Sequence, residues 1–220
     1  TGEDYEDGQS EELLSQVIAS KRDKVIIGSK FKPSNNGYDN VINSCEGSLR
    51  RLKTDYIDLY QIQWPNPNIE IEETFSAFEK LVDQGKILYY GVGNFDLPKI
   101  KEAIQTDKLK KLVAIQTEYD LFNRSIENEL DYLEDNNLSI IAYMSLGKDN
   151  FNHEEKQLLN SLSTKYNKTI RTIVLSWIIS HKNVNVLTSS LSLEHTKNNF
   201  LAAQVKLEEQ DILKIDHLFK

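Results

Sequence analysis

The 220-residue chain carries one cysteine, one methionine, two tryptophans, four histidines, four prolines and nine glycines. The single Cys45 excludes an internal disulfide and any metal site built on several thiolates. The histidines are scattered with no two at ligand spacing, so no metal is expected. Basic side chains are in short supply: 26 against 34 acidic ones give a formal net charge of −8. That balance argues against a general nucleic-acid binder, whose phosphate contacts need a basic face. No apolar run approaches the roughly 20 residues that span a bilayer. The opening Thr1-Gly-Glu-Asp-Tyr-Glu-Asp is acidic and polar where a secretory signal is basic and then apolar. These absences leave a cytoplasmic globular protein with neither membrane nor nucleic acid as partner, and they leave its oligomeric state open.

No Gly/Ser-rich or Pro-rich linker and no low-complexity tract interrupts the chain, so residues 1–220 read as one domain. Short β-rich runs alternate with amphipathic stretches instead. Strands are predicted over 25–29, 56–62, 87–92, 112–116, 138–143 and 183–187, most of them near-continuous apolar runs that suit a parallel sheet buried on both faces. Helices are predicted over 11–20, 38–52, 71–84, 97–105, 126–136, 153–166, 170–180 and 193–201, with a last one from Leu207. Ser10, Asp96 (before Leu97-Pro98) and Ser192 are the expected helix-start residues. Repeated β/α leaves the doubly wound sheet and the (β/α)8 barrel. No strand is followed by Gly-x-Gly-x-x-Gly; Gly91-Val-Gly93 comes nearest and lacks the third glycine. A phosphate-binding Gly-x-x-x-x-Gly-Lys-Ser/Thr is missing too. The barrel is favoured, and its chemistry belongs at the C-terminal ends of strands.

The polar residues at those ends are Lys30, Gln63-Trp64, Asn94, Gln116-Thr-Glu118, Tyr143 with Lys148, and Thr188-Ser189-Ser190. Around them lie Glu11-Glu-Leu-Leu, Val25-Ile-Ile-Gly-Ser-Lys-Phe, Gly47-Ser-Leu-Arg-Arg-Leu-Lys-Thr-Asp-Tyr-Ile-Asp-Leu-Tyr, Gln63-Trp-Pro-Asn-Pro and Leu81-Val-Asp-Gln-Gly-Lys-Ile. Gly91-Val-Gly-Asn-Phe, Gln116-Thr-Glu-Tyr, Ile140-Ile-Ala-Tyr and Ser192-Leu-Glu-His follow. In this order, over nearly the whole chain, the set resembles the aldo-keto reductases. The resemblance implies a TIM barrel that reduces aldehydes or ketones with NADP as cofactor, NAD being possible, and a small carbonyl compound as partner. Only six strands are countable, against a barrel of about 250 residues, so the chain is expected to start after the family's first two strands and its catalytic aspartate.

Carried over residue by residue, Tyr5 resembles the family's proton-donating tyrosine and Lys30 its lysine. A phenol titrating near pH 10 is a poor acid at neutrality, and an adjacent ammonium is expected to lower its pKa. Where the family has histidine this chain has Gln63, which donates a hydrogen bond but relays no proton. Trp64 is expected to wall the substrate pocket. Asn94 and Gln116 resemble the amides that hold the nicotinamide carboxamide, although the serine usual before the asparagine is Gly93. Tyr143 resembles the ring that stacks on nicotinamide, and Leu146 the loop residue beside the pyrophosphate. In the last loop Ser189, Ser190, His195, Asn198 and Asn199 occupy the positions that hold the adenosine end. The family's lysine and arginine there are replaced by Ser189 and His195, so a weakened preference for NADP over NAD is expected.

Several residues read more simply as structural: Asp58 as bonded within the barrel, Cys45 as a buried hydrophobe, His153, His181 and His217 as solvated, and the cluster Lys108–Lys111 as a solvated face. Two functions compete. One is an NAD(P)H-dependent carbonyl reductase with Tyr5 as acid. The other is a catalytically impaired barrel that binds nucleotide or a protein partner without turnover, which Gln63 and the missing cations favour.

Overall fold

The computed structural model describes residues 1–95, 97–105, 109, 111–147 and 150–219. Asp96, Lys108, Lys110 and Lys148 lie outside the described residues. The chain forms two compact units, Thr1–Ile115 and Gln116–Lys220.

The first unit contains α1 (Gln9–Ile18), β1 (Gly28–Phe31), α2 (Tyr38–Leu52), β2 (Ile57–Ile62), α3 (Ile71–Asp83), β3 (Ile87–Gly93) and α4 (Leu97–Gln105), and it ends within β4 (Leu112–Glu118). β1 and β3 flank β2, all parallel, with Lys30 opposite Gln61 and Gln61 opposite Gly91. Side chains in one row of a sheet share a face, so the alternation sorts these strands into two surfaces. One surface is aromatic. Phe31, Tyr60 and Tyr90 meet Phe75 and Phe78 of α3, with Phe78 stacked on Tyr90 at 4.8 Å between centroids. The helix presents them because Thr74, Phe75, Phe78 and Leu81 recur at helical spacing and are all buried. Each such ring contributes about 1.5–3 kcal/mol by leaving water. The other surface carries Lys30, Gln61 and Gly91.

Most strand and helix ends fall within two residues of the sequence reading, and the starts of β1 and α1 differ for physical reasons. β1 begins at Gly28 instead of Val25, because side chains claim the preceding backbone. Arg22 Nη1 donates to Val25 O at 3.0 Å, and Ile27 N donates to Asp58 Oδ2 at 2.8 Å. Asp58 also pairs with Arg22 at 2.6 Å. α1 begins at Gln9, capped by Gly8 in the left-handed region, and not at Ser10, whose hydroxyl meets that of Thr1. The buried anchor of α1 is Glu11, which accepts from Ser29 Oγ and from Arg51 Nε.

The second unit holds the end of β4, a 3₁₀ turn over Ser125–Glu129, α5 (Leu130–Asp135), β5 (Ser139–Tyr143), α6 (His153–Tyr166), α7 (Ile170–Ser180), β6 (Val184–Val186), α8 (Leu193–Leu201) and α9 (Glu209–Leu218). The helix expected over 126–136 is thus part 3₁₀ and part α. β5 and β6 are parallel, with Ile140 opposite Val184. Three helices carry side-chain caps: Asn152 and Glu155 form a capping box, Thr169 accepts from Thr172 N, and Ser192 accepts from His195 N. α7 is buried without a break from Thr172 to Ile178. Its Trp177 donates to Asp216 at 3.0 Å, and Arg124 bridges Asp216 and Glu127.

Cys45 is fully buried, and burial pushes its thiol up to about 12, too high to form a thiolate nucleophile at neutral pH. Among the described residues no helix is long and apolar enough to cross a membrane. No group of three His, Cys, Asp or Glu gathers among them that could hold a metal ion.

Candidate active site

Tyr5 and Lys30 come together in the first unit, and the local chain explains how. Glu3 clamps the segment that carries Tyr5 onto β1: its N–H donates to Lys30 O at 2.9 Å, while its carboxylate accepts from Lys32 N and Asn35 Nδ2. Gly2 makes room, since a Cβ there would stand 3.3 Å from the Tyr5 ring and 3.2 Å from Lys30 O. Immediately after Tyr5, Glu6 and Asp7 both adopt left-handed φ values of 52° and 49°, a conformation costly for residues with side chains. Local strain of this kind gathers at functional sites.

Lys30 Nζ lies over the Tyr5 ring, 5.6 Å from its centroid. The lysine is only 5% exposed, whereas Tyr5 is 42% exposed and so stays open to a ligand. Burial lowers the Lys30 pKa from that of an ordinary lysine. The phenol moves the other way from expectation: burial first, and then the nearby Asp4, hold Tyr5 above its ordinary pKa.

Gln63 follows β2 and is half-buried, and its Oε1 is enclosed without a protein partner. Trp64 is half-exposed, with its carbonyl accepting from Asn36 Nδ2 at 3.4 Å. Asn94, at the end of β3 with φ of 58°, donates from Nδ2 to Gln63 O at 3.0 Å. Gln61 escaped the sequence reading. It is 3% exposed in the row between Lys30 and Gly91, and its Nε2 has no partner. The available signal was a glutamine near the end of β2 that alternates with Gln63 just beyond it.

In the second unit, Gln116 of β4 is buried and Tyr143 ends β5 half-buried, its pKa raised by burial and then by Glu118. Beyond it Met144 and Gly147 take left-handed conformations, and Ser145 Oγ donates to Ala142 O, which turns the chain through the half-buried Leu146. After β6, Ser189 is exposed in the loop and His195 is exposed on α8, while Ser190 Oγ accepts from Ser192 N at 3.0 Å. Asn198 is half-buried and its carbonyl accepts from Thr172 Oγ1. Asn199 is 9% exposed and its Oδ1 is enclosed without a partner. A buried acceptor left open in this way suits a ligand N–H. Where the resemblance places a lysine and an arginine beside a 2′-phosphate, this segment offers the Ser189 hydroxyl and the His195 imidazole.

The model of the aldo/keto reductase family matches residues 1–220. Methylglyoxal reductase YeaE of Escherichia coli (strain K12) is 32% identical over 100% of this chain and 78% of its own length. Glyoxal reductase of Bacillus subtilis (strain 168) is 30% identical over 90% of this chain and 70% of its own. Among solved structures, an aldo/keto reductase from Klebsiella pneumoniae in complex with NADP and acetate superposes with a TM-score of 0.91. It shares 31% identity and covers 99% of this chain and 78% of its own. A thermostable aldo-keto reductase in complex with the inhibitor epalrestat gives a TM-score of 0.92 at 35% identity, covering 99% and 80%. The TIM-barrel fold, the oxidoreductase class and the NADP cofactor expected from the sequence agree with these relatives. Matched along its whole length, the chain belongs to the aldo/keto reductase family.

Proposed function

We propose that this chain reduces small carbonyl compounds, with 2-oxoaldehydes of the methylglyoxal type as its substrate class, and that Tyr5 is the proton donor. The observation that carries the reading is the buried Lys30 ammonium set over the ring of a half-exposed Tyr5. When bound, the reduced nicotinamide supplies the hydride. Tyr5 gives its proton to the oxygen of the alkoxide so formed, a base far stronger than a phenolate, so a raised phenol pKa does not forbid the transfer. Lys30 then stabilises the phenolate left behind. Gln63 directs the enclosed end of its amide toward the substrate oxygen, with nitrogen and oxygen free to exchange by a flip of the amide. Because an amide does not titrate, Gln63 contributes no acidic limb to the pH profile. Trp64 walls the pocket. Asn94 and Gln116 hold the carboxamide of the cofactor, Tyr143 stacks on its ring and Leu146 lies beside its pyrophosphate. Ser189, Ser190, His195, Asn198 and Asn199 hold its adenosine end.

The sequence substitutions at Gln63, Ser189 and His195 favour a second reading, a barrel that binds the dinucleotide without turnover. Incubation with NADPH or NADH and a panel of small aldehydes, following reduced-nicotinamide absorbance, separates the two. Turnover of methylglyoxal supports the first. Cofactor binding with no turnover of any aldehyde supports the second and rejects the first.

A further inference from the structure

Gly91-Val-Gly93 is a glycine pair that no phosphate-binding pattern absorbs, and the structure gives it a different use. Neither glycine is chosen for its backbone angles, since neither has positive φ. Both are chosen for space. A Cβ on Gly91 would stand 2.9 Å from Ala114 O and 3.1 Å from both Cγ and Nε2 of Gln61. A Cβ on Gly93 would stand 2.6 Å from Gln63 O and 2.8 Å from Ile62 O, closer than real side-chain carbons approach a carbonyl. The end of β2 therefore lies directly on bare backbone of β3. Its position is then fixed from both sides: Gln63 N donates to Phe31 O at 3.3 Å, and Gln63 O accepts from Asn94 Nδ2 at 3.0 Å. The side chain so placed ends in a buried amide oxygen that no protein group uses.

We propose that Gly93 is a positioning residue. By leaving out its Cβ it lets the Gln63 peptide seat against β3, where Asn94 latches it, and it thereby sets where the Gln63 amide meets the substrate. The kinetic part of this inference rests on the carbonyl-reductase reading above; the geometric part does not. Replacing Gly93 by any other residue forces the Gln63 carbonyl outward. A displacement of about 1 Å in a group that orients substrate lowers turnover about a hundredfold.

The test compares Gly93→Ala in two backgrounds. In the otherwise native enzyme kcat for methylglyoxal should fall roughly 10- to 100-fold, with the KM for NADPH changed less than about threefold. In a Gln63→Ala background, where there is no amide left to position, the same change should cost less than about threefold. Iodide quenching of Trp64 supplies a readout independent of turnover, because Trp64 is 48% exposed next to Gln63 while the other tryptophan, Trp177, is fully buried. Quenching of the cofactor-free protein should rise in Gly93→Ala. It should rise also in Asn94→Asp, which adds no bulk and removes the donor, so the latch remains testable if the alanine variant does not fold. An unchanged kcat, an equal loss in both backgrounds, or unchanged quenching in both variants would overturn the proposal. A native protein that turns over no carbonyl contradicts the functional reading, and quenching then still decides the latch.

Discussion

In the second unit Asp211 is fully buried and is met by Lys165 at 2.6 Å, Lys214 at 2.7 Å and the Tyr166 hydroxyl at 2.7 Å. In the first unit Lys30 and Gln61 are almost as buried, yet the Gln61 Nε2 has no partner and burial lowers the lysine's pKa with no opposing ion-pair contribution. Glu127 continues the pattern of the second unit by accepting from Arg124 and Tyr119 together. Burying polar groups without partners costs free energy. A fold that satisfies such groups in one place and leaves those of Gln61 and Gln63 open at the end of β2 in another separates scaffold from site; the exception in the first unit is the Tyr60 hydroxyl, buried in the aromatic surface without a partner. The exception in the second unit is Asn199, and it lies in the stretch where the adenosine end is proposed to be held.

Lys30→Met, which removes an ammonium no scaffold group requires, should lower kcat/KM about a thousandfold with little loss of stability. The same lysine sets an alkaline limit: its pKa is lowered from 10.5, so activity that needs the charged form should fall with rising pH before 10.5. Lys30→Arg should remove that limb at whatever activity remains, since a guanidinium stays charged. Glu127→Ala should do the opposite of Lys30→Met. Leaving Arg124 and Tyr119 without an acceptor should cost about 3 kcal/mol in urea unfolding, with activity per folded molecule preserved.

Asp211→Asn should cost less, about 2 kcal/mol at pH 7. The folded Asp211 carboxyl titrates at about 2 against an ordinary 3.8, because the hydrogen bonds from Lys165, Lys214 and Tyr166 outweigh its burial. A depressed carboxyl stabilises the fold above its unfolded pKa and loses that contribution as pH falls through the folded one. The urea midpoints of Asp211→Asn and the native protein should therefore converge as pH falls from 3.8 toward 2. The smallest effect belongs to the last loop. Ser189→Lys should raise the affinity for NADPH over NADH about tenfold, or about 1.4 kcal/mol, and a native preference of a thousandfold would contradict the weakened discrimination expected of this loop.

Much of this architecture was legible in the sequence. α2, α6, α7 and α8 begin and end where periodicity places them, because each carries an apolar stripe or an apolar run with clear polar boundaries. β1 was misplaced because the side chains of Arg22 and Asp58, distant in sequence, take over the backbone of Val25 and Ile27. Tyr5 and Lys30 were recognisable by family pattern and strand-end position, but the direction of the Tyr5 pKa was not. It depends on how deeply the fold buries the phenol and on Asp4 beside it, neither of which the strand-end position reveals. Glu3 as a clamp and Gly93 as a close approach were equally hidden, since each acts on backbone atoms of another segment.

The central claim is that the phenol of Tyr5 delivers the proton. It is tested most directly by measuring methylglyoxal reduction and NADPH affinity side by side for the native protein and Tyr5→Phe, which removes one hydroxyl from a half-exposed ring. The account predicts that kcat falls by about 10²–10⁴ while NADPH affinity stays within about threefold. Equal turnover by the two proteins would contradict it.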